Sequence, residues 1–380
     1  MATYTSRNPA RFDDIVTEVP LATSAEVLAA CQTAHAAQAA WAAIPAPLRG
    51  RVIAQVGRLF ESNKESLAHL VTREMGKVYA EALGDVQEVI DTCDFFLGEG
   101  RRLYGQTVPS EMPDKQLFTF RMPVGTAMII TAGNFPAAVP SWYIVPALVT
   151  GNTIVWKPAE QTAAIAQAMA EIFYAGGVPQ EVLQVVIADG PATYDGLEAA
   201  LDSKLVQKIG FTGSTEVGRR LSELAGRHLQ SPCLELGGKN PMVVMPDAAI
   251  DLVVEGALFA GFGTAGQRCT SLGTLWVHRD VYDVVRERYV HAVQNAIIGD
   301  PRQPVLYGPM IDEKYLTTHD KHLGLIQDHQ SVYGSSGVGR ITSHNPRAGF
   351  LGDPDAGWFA HPTIVDGIRP GDALYDTETF

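Results

Sequence analysis

Apolar positions recur at helical spacing through the first hundred residues. Thr23 and Glu26 form a Thr-x-x-Glu pattern ahead of Val27 and Leu28, which predicts a capping box at a helix start. Pro45 and Pro47 break that helix before a second periodic run carrying Val52, Ile53, Val56, Leu59 and Phe60. A third helix is expected over residues 79–102. The segment GQTVPSEMPDKQLFTFRMPVG then mixes Pro and Gly with β-rich residues. It reads as an extended arm rather than a core element.

From about residue 127 the rhythm changes. AMIITA, TIVWK, LQVVIA, KIGFT and CLEL are short β-rich runs, and helix-compatible stretches such as AAIAQAMAEIFYAG lie between most of them. Repeated strand–helix–strand alternation predicts a parallel sheet with helices on its faces. Such sheets bind ligands at the carboxyl ends of their strands. The last third repeats the alternation with PMVVM, a helix near residues 252–259, and TLWVH. A further helix puts Val281, Val285, Tyr289, Val293 and Ile297 on one stripe. A second α/β domain is expected there.

Composition narrows the class. A chain of 380 residues buries a large core and suggests about two to three domains. No apolar run reaches the length of a membrane span, and MATYTSRNPARFDD lacks the apolar core of a signal peptide. The net charge of −13 repels nucleic acid and anionic lipid, so neither is expected as a partner. Four cysteines, Cys31, Cys93, Cys233 and Cys269, are widely spaced with no C-x-x-C pair. That fits a reducing compartment, and a cytoplasmic enzyme is expected. His319 and His322 could share a helix face, but no Cys, His or acidic triad accompanies them. A solvated face is the expectation, and no metal is assigned.

Short polar motifs fall where the strands end. GNFP (133–136) follows AMIITA, WKPAE (156–160) follows TIV, FTGSTEVG (211–218) follows KIG, and LELGGK (234–239) closes CLEL. Singly, each is ordinary turn chemistry. Together, at successive strand tips and with GQRC (266–269), they suggest a site. Cys269 alone could be packing, a metal ligand or a nucleophile. Burial as small hydrophobes is the expectation for Cys31, Cys93 and Cys233.

NFP, KPAE, FTGSTEVG, LELGGK and GQRC, in this order, resemble the NAD(P)-dependent aldehyde dehydrogenase superfamily. The likeness runs from about Asn8 to Phe380. REMGK, GDVQE, TVPSE and GTAGQRCT resemble its non-acylating bacterial branch acting on aliphatic aldehydes and semialdehydes. The resemblance implies a Rossmann-like cofactor domain (1–105 and 122–235), an oligomerisation arm (106–121) and an α/β catalytic domain (236–380). It also implies a homodimer or homotetramer, a small aldehyde substrate, and a catalytic set of Cys269, Glu235 and Asn134. Cys269 would attack the aldehyde carbonyl as thiolate. Asn134, with the Cys269 backbone N–H, would hold the oxyanion, one such donor being worth about 3 kcal/mol of barrier. After hydride loss Glu235 would activate water to hydrolyse the thioester.

The same resemblance assigns the cofactor contacts. Gly213 would let backbone approach a pyrophosphate at a helix N-terminus, with Ser214 adding a hydroxyl. Lys157 and Glu160 would reach the adenosine ribose. A carboxylate there repels a 2′-phosphate, which favours NAD, while Lys157 leaves NADP compatible. Glu378 would bind the nicotinamide ribose and Phe380 would pack near the ring.

Departures from the family pattern are also legible. Gly133 stands where members often carry Trp, implying a more open entry. ADGPATYDG reads as a glycine-rich turn with Gly190 and Gly196 widely spaced. Phe380 falls inside a motif that the family continues with Gly-Pro and a further stretch. The C-terminal part of the catalytic domain, with its substrate loop and oligomerisation strand, is therefore expected to be missing, and Glu378 and Phe380 to fray. The family's N-terminal strand pair is likewise expected to be absent. Two rival functions stand beside hydrolytic oxidation. One is a CoA-acylating semialdehyde dehydrogenase, against which Glu235 argues. The other is a truncated, non-catalytic member of the fold.

Overall fold

The structure, a computed structural model, describes residues 2–334 and 337–380. It opens with β1 (Thr3–Asn8) and β2 (Arg11–Pro20), paired as a two-stranded sheet. The expected absence of an N-terminal strand pair is thus corrected. β1 (TYTSRN) is almost wholly polar and β2 (RFDDIVTEVP) interleaves charged with apolar residues, so no long apolar run marks either. The turn has local chemistry: Asn8 Oδ1 accepts the Ala10 N–H at 3.0 Å, beside Pro9.

Four helices follow: α1 (Ser24–Ala43), α2 (Ala46–Ser62), α3 (Lys64–Met75) and α4 (Tyr79–Glu99). The capping box forms as read, with the Glu26 N–H donating to Thr23 Oγ1 and the Thr23 N–H donating to Glu26 Oε2 at 2.8 Å. The sequence pattern did not separate α3, because Asn63 alone divides it from α2. The arm folds as a small antiparallel hairpin, β3 (Thr107–Val108) with β4 (Leu117–Phe118).

The main sheet is built from β5 (Thr126–Ile130), β6 (Thr153–Lys157), β7 (Leu183–Val185), β8 (Lys208–Gly213) and β9 (Cys233–Leu236). Its order is β7-β6-β5-β8-β9, with β5 parallel to both β6 and β8 and β6 parallel to β7. The order reverses between β5 and β8, the kind of switch point at which α/β sheets open a ligand crevice. The connecting helices are α5 (Ala138–Val149), α6 (Ala163–Ala175), α7 (Gly190–Asp202) and α8 (Thr215–Arg227). Nearly every residue of β5 and all of β6 are buried, which is why both read as unbroken apolar runs.

ADGPATYDG is not a glycine-rich turn. Asp189 caps α7 by accepting the Ala192 N–H at 2.8 Å, and Gly190 is the first helical residue. Gly196 lies within the helix against α1, where an added Cβ would sit 2.6 Å from Val27 Cβ. Its glycine serves close helix packing.

The chain then forms β10 (Asn240–Val244), α9 (Ile250–Phe262), β11 (Leu272–Val277), α10 (Tyr282–Asn295) and α11 (Glu313–Leu323), with β10 and β11 parallel. By packing, the chain makes two compact units. The first comprises residues 1–5, 18–68 and 83–235; the second comprises 6–17, 69–82 and 236–380. Among the described residues no helix is long and apolar enough to cross a membrane.

Candidate active site

In the first unit the site residues sit at strand tips. Asn134 is buried in the bend between β5 and α5. At the tip of β6, Lys157 is buried and its Nζ pairs with Glu160 Oε2 at 2.9 Å. At the tip of β8, Gly213 leads into Ser214, which caps α8 by accepting the Val217 N–H at 3.4 Å. Residues 214–217 are exposed, so the first amides of α8 face solvent. Tyr143 of α5 holds this tip, its hydroxyl bonding Phe211 O at 3.2 Å and Thr212 Oγ1 at 3.1 Å. The ring crosses Gly210, where a Cβ would lie 2.8 Å from it.

Glu235 is exposed on β9, an edge strand. Cys233 is exposed too, contrary to the expected buried hydrophobe. Alternation along an edge strand puts residues two apart on the same open face. Cys31 and Cys93 are buried as expected, and burial pushes both thiols up to about 12.

In the second unit Cys269 is partly exposed on the turn between α9 and β11. The residues leading to it are left-handed: Thr264 (φ 53°), Ala265 (φ 56°) and Gly266 (φ 74°). Asn240 closes the turn from the other side, its Nδ2 donating to Cys269 O at 2.7 Å and to Ser271 O at 2.9 Å. Glu378 does not fray. Its carboxyl accepts the Gly238 N–H, and burial raises its pKa. A Cβ at Gly237 would fall 1.9 Å from Glu378 Oε2. Lys239 Nζ donates to Thr377 O at 2.9 Å, holding the same terminal stretch. Phe380 lies beside Tyr315, ring centroids 6.1 Å apart, and lines a cavity of about 490 Å³ within this unit. His319 and His322 line that cavity rather than a solvated face, and burial lowers both pKa values. Among the described residues no three His, Cys, Asp or Glu side chains are grouped as a metal site requires.

Residues 2–380 match the model of the aldehyde dehydrogenase family. The chain belongs to that family. It is 39% identical over 317 residues to the NADP⁺ succinate-semialdehyde dehydrogenase GabD of Escherichia coli, an alignment covering 83% of this chain and 65% of that protein. It is 37% identical to the glutarate-semialdehyde dehydrogenase of Pseudomonas putida, covering 98% of this chain and 74% of that one. The solved structure of PnpE in complex with nicotinamide adenine dinucleotide matches at a TM-score of 0.90 and 30% identity, over all of this chain and 75% of that one. The chain thus spans under two thirds of the length of the E. coli relative.

The first unit has features that suit a dinucleotide. The exposed α8 amides offer donors to an anion, and the Lys157–Glu160 pair offers a cation and a hydroxyl acceptor at the adjacent tip. The aldehyde dehydrogenase motifs did not disclose Tyr143, Asn240 or Glu81. Asn240 directly follows LELGGK, so its position beside the motif is visible in the sequence. Glu81 bonds Thr264 across 183 positions, a separation no local pattern reports.

Proposed function

We propose that this protein oxidises an aliphatic aldehyde or semialdehyde to its carboxylic acid with NAD(P)⁺, through a covalent bond to Cys269. Cys269 carries the reading: it is a partly exposed thiol on a clamped turn, in a chain of the aldehyde dehydrogenase family. The first unit is proposed to bind cofactor and the second to carry the nucleophile.

The Cys269 thiolate adds to the carbonyl carbon, forming a C–S bond and an oxyanion. The Asn134 amide donates to that oxyanion. Bound nicotinamide supplies the hydride acceptor, and hydride loss leaves a thioester on sulphur. Glu235, open to water on its edge strand, takes a proton as water adds to the thioester carbonyl. The C–S bond then breaks, releasing acid and restoring the thiol. Gly213, Ser214 and the α8 amides would hold pyrophosphate, Lys157 and Glu160 the adenosine ribose and Glu378 the nicotinamide ribose, with Phe380 beside the ring. Glu160 tilts the choice toward NAD, and its ion pair with Lys157 keeps NADP compatible. Free thiols suit a reducing cytoplasm, and the exposed arm suits a homodimer or homotetramer.

The test is reduced-nicotinamide absorbance with a panel of aldehydes. Wild type should turn over at least one of them. Cys269→Ala should abolish turnover while binding cofactor as before, because the proposed cofactor contacts in the first unit do not include the thiol. Residual oxidation by Cys269→Ala above a small fraction of wild type would sink the assignment.

A further inference from the structure

Two adjacent non-glycine residues, Thr264 and Ala265, hold left-handed backbone just before the nucleophile turn. An L side chain is disfavoured in that region, and such a run persists only where its surroundings enforce it. The enforcing group is Glu81, in the first turn of α4. Its Oε2 accepts both the Thr264 N–H at 3.1 Å and the Thr264 hydroxyl at 3.2 Å. Its Oε1 pairs with the Arg268 guanidinium. Arg268 Nε donates in turn to Thr264 Oγ1 at 3.1 Å, and its guanidinium lies 4.5 Å over the Phe259 ring. The three side chains close a ring of contacts whose last member is the residue before Cys269.

Two further observations point the same way. Glu81 and Arg268 are only 12% and 13% exposed, so the charges are held largely out of water. Gly263 leaves room for them: a Cβ there would lie 2.9 Å from both Arg268 Nη2 and Glu81 Oε1. Gln267, fully buried, ties the turn elsewhere, donating to Thr264 O and accepting the Ile311 N–H, each at 3.0 Å.

We propose that Glu81 is a positioning residue for the Cys269 thiol, holding the left-handed run at 264–266 and, through Arg268, the aim of the sulphur. The proposal rests on Cys269 being the nucleophile. A carboxylate is required because one oxygen takes two donors from Thr264 while the other faces a guanidinium. A Gln at this position has one oxygen, and its NH₂ would confront one of those donor sets.

The test is alkylation by iodoacetamide, with occupancy at each cysteine read by mass spectrometry. It needs neither cofactor nor turnover. Exposed Cys233 is the internal reference, and buried Cys31 and Cys93 should stay silent. In wild type Cys269 should react faster than Cys233. Glu81→Gln should lower the Cys269 to Cys233 ratio by about tenfold, the scale of penalty a misplaced reactive group brings. Adding Ala265→Gly, which removes the side-chain penalty for positive φ, should recover most of that loss. Gly263→Ala keeps both charges but wedges a methyl group against them, and should lower the ratio similarly even if Glu81→Gln folds poorly. A wild-type ratio below one removes the nucleophile assignment and this proposal with it. A higher wild-type ratio that Glu81→Gln or Gly263→Ala leaves unchanged overturns the positioning role alone, as does a loss that Ala265→Gly fails to mend.

Discussion

Glu235 and Glu160 are carboxylates at strand tips of one sheet, yet their surroundings differ. Glu235 stands open to water on β9, as its proposed work as a base requires. Glu160 is mostly covered and paired with Lys157 at 2.9 Å. Glu235→Gln should therefore spare C–S bond formation and hydride loss but slow hydrolysis, since an amide cannot take a proton from water. Rapid mixing should show one burst of reduced cofactor per site, then a slow steady state. Loss of the burst would place Glu235 earlier, in generating the thiolate. Glu160→Gln should narrow the preference for NAD over NADP, mainly in affinity, because it leaves Lys157 without its counter-charge near the 2′ position. An unchanged ratio of the two affinities would mean that Glu160 does not face the ribose. Residues such as these were legible because strand tip and side chain are contiguous in sequence. Glu81 was not, since its partners Thr264 and Arg268 are 183 and 187 positions away.

Among elements, legibility followed burial. β5 and β6 are buried, so their sequences are near-continuous apolar runs, marked as strands by their shortness and their β-branched residues. β1 and β2 are half open, the first polar and the second interleaved with Asp and Glu, so neither carries an apolar run that marks a strand. Cys233 differs from its expectation for a related reason: residue type suggests burial, while the edge position of β9 decides exposure. The segment expected as an arm, with its Pro, Gly and β-rich residues, forms an exposed hairpin. Its hairpin leaves Phe118 53% and Phe120 76% exposed, a display that invites pairing. Light scattering on the 380-residue chain should show association, and Phe118→Ser with Phe120→Ser should reduce it. A monodisperse monomer would show that the arm needs no cover.

At the scale of the molecule, the order of motifs was legible from end to end, but the partition into units was not. Residues 6–17 and 69–82 pack with the second unit although they precede most of the first. Arg73 pairs with Asp14 at 2.6 Å, holding that carboxyl down at about 2, and Phe12 meets Trp358 with ring centroids 4.5 Å apart. Such long-range contacts leave no periodic trace. The second unit also keeps Val243 and Trp276 of its parallel pair largely open, whereas the β5 and β6 strands of the first are sealed. Strand-run reasoning works best where the sheet is covered, so the second unit was the harder to outline from sequence.

Gly237 and Glu378 occupy one another's space, and that makes them a single genetic target written at two places. A methyl group at position 237 would overlap the carboxylate oxygen, 1.9 Å from it. Gly237→Ala should thus evict the acid as surely as Glu378→Ala deletes it. Each substitution alone should weaken cofactor binding by a similar factor, and the double variant should be little worse than either, the signature of contacting sites. Additive losses in cofactor affinity would show that the two positions act separately. On this account the second half of LELGGK is a mould for a side chain about 140 residues downstream, comparable to the 138 positions that separate Lys239 from its partner Thr377, and a substitution screen that ignored the pairing would score one lesion twice.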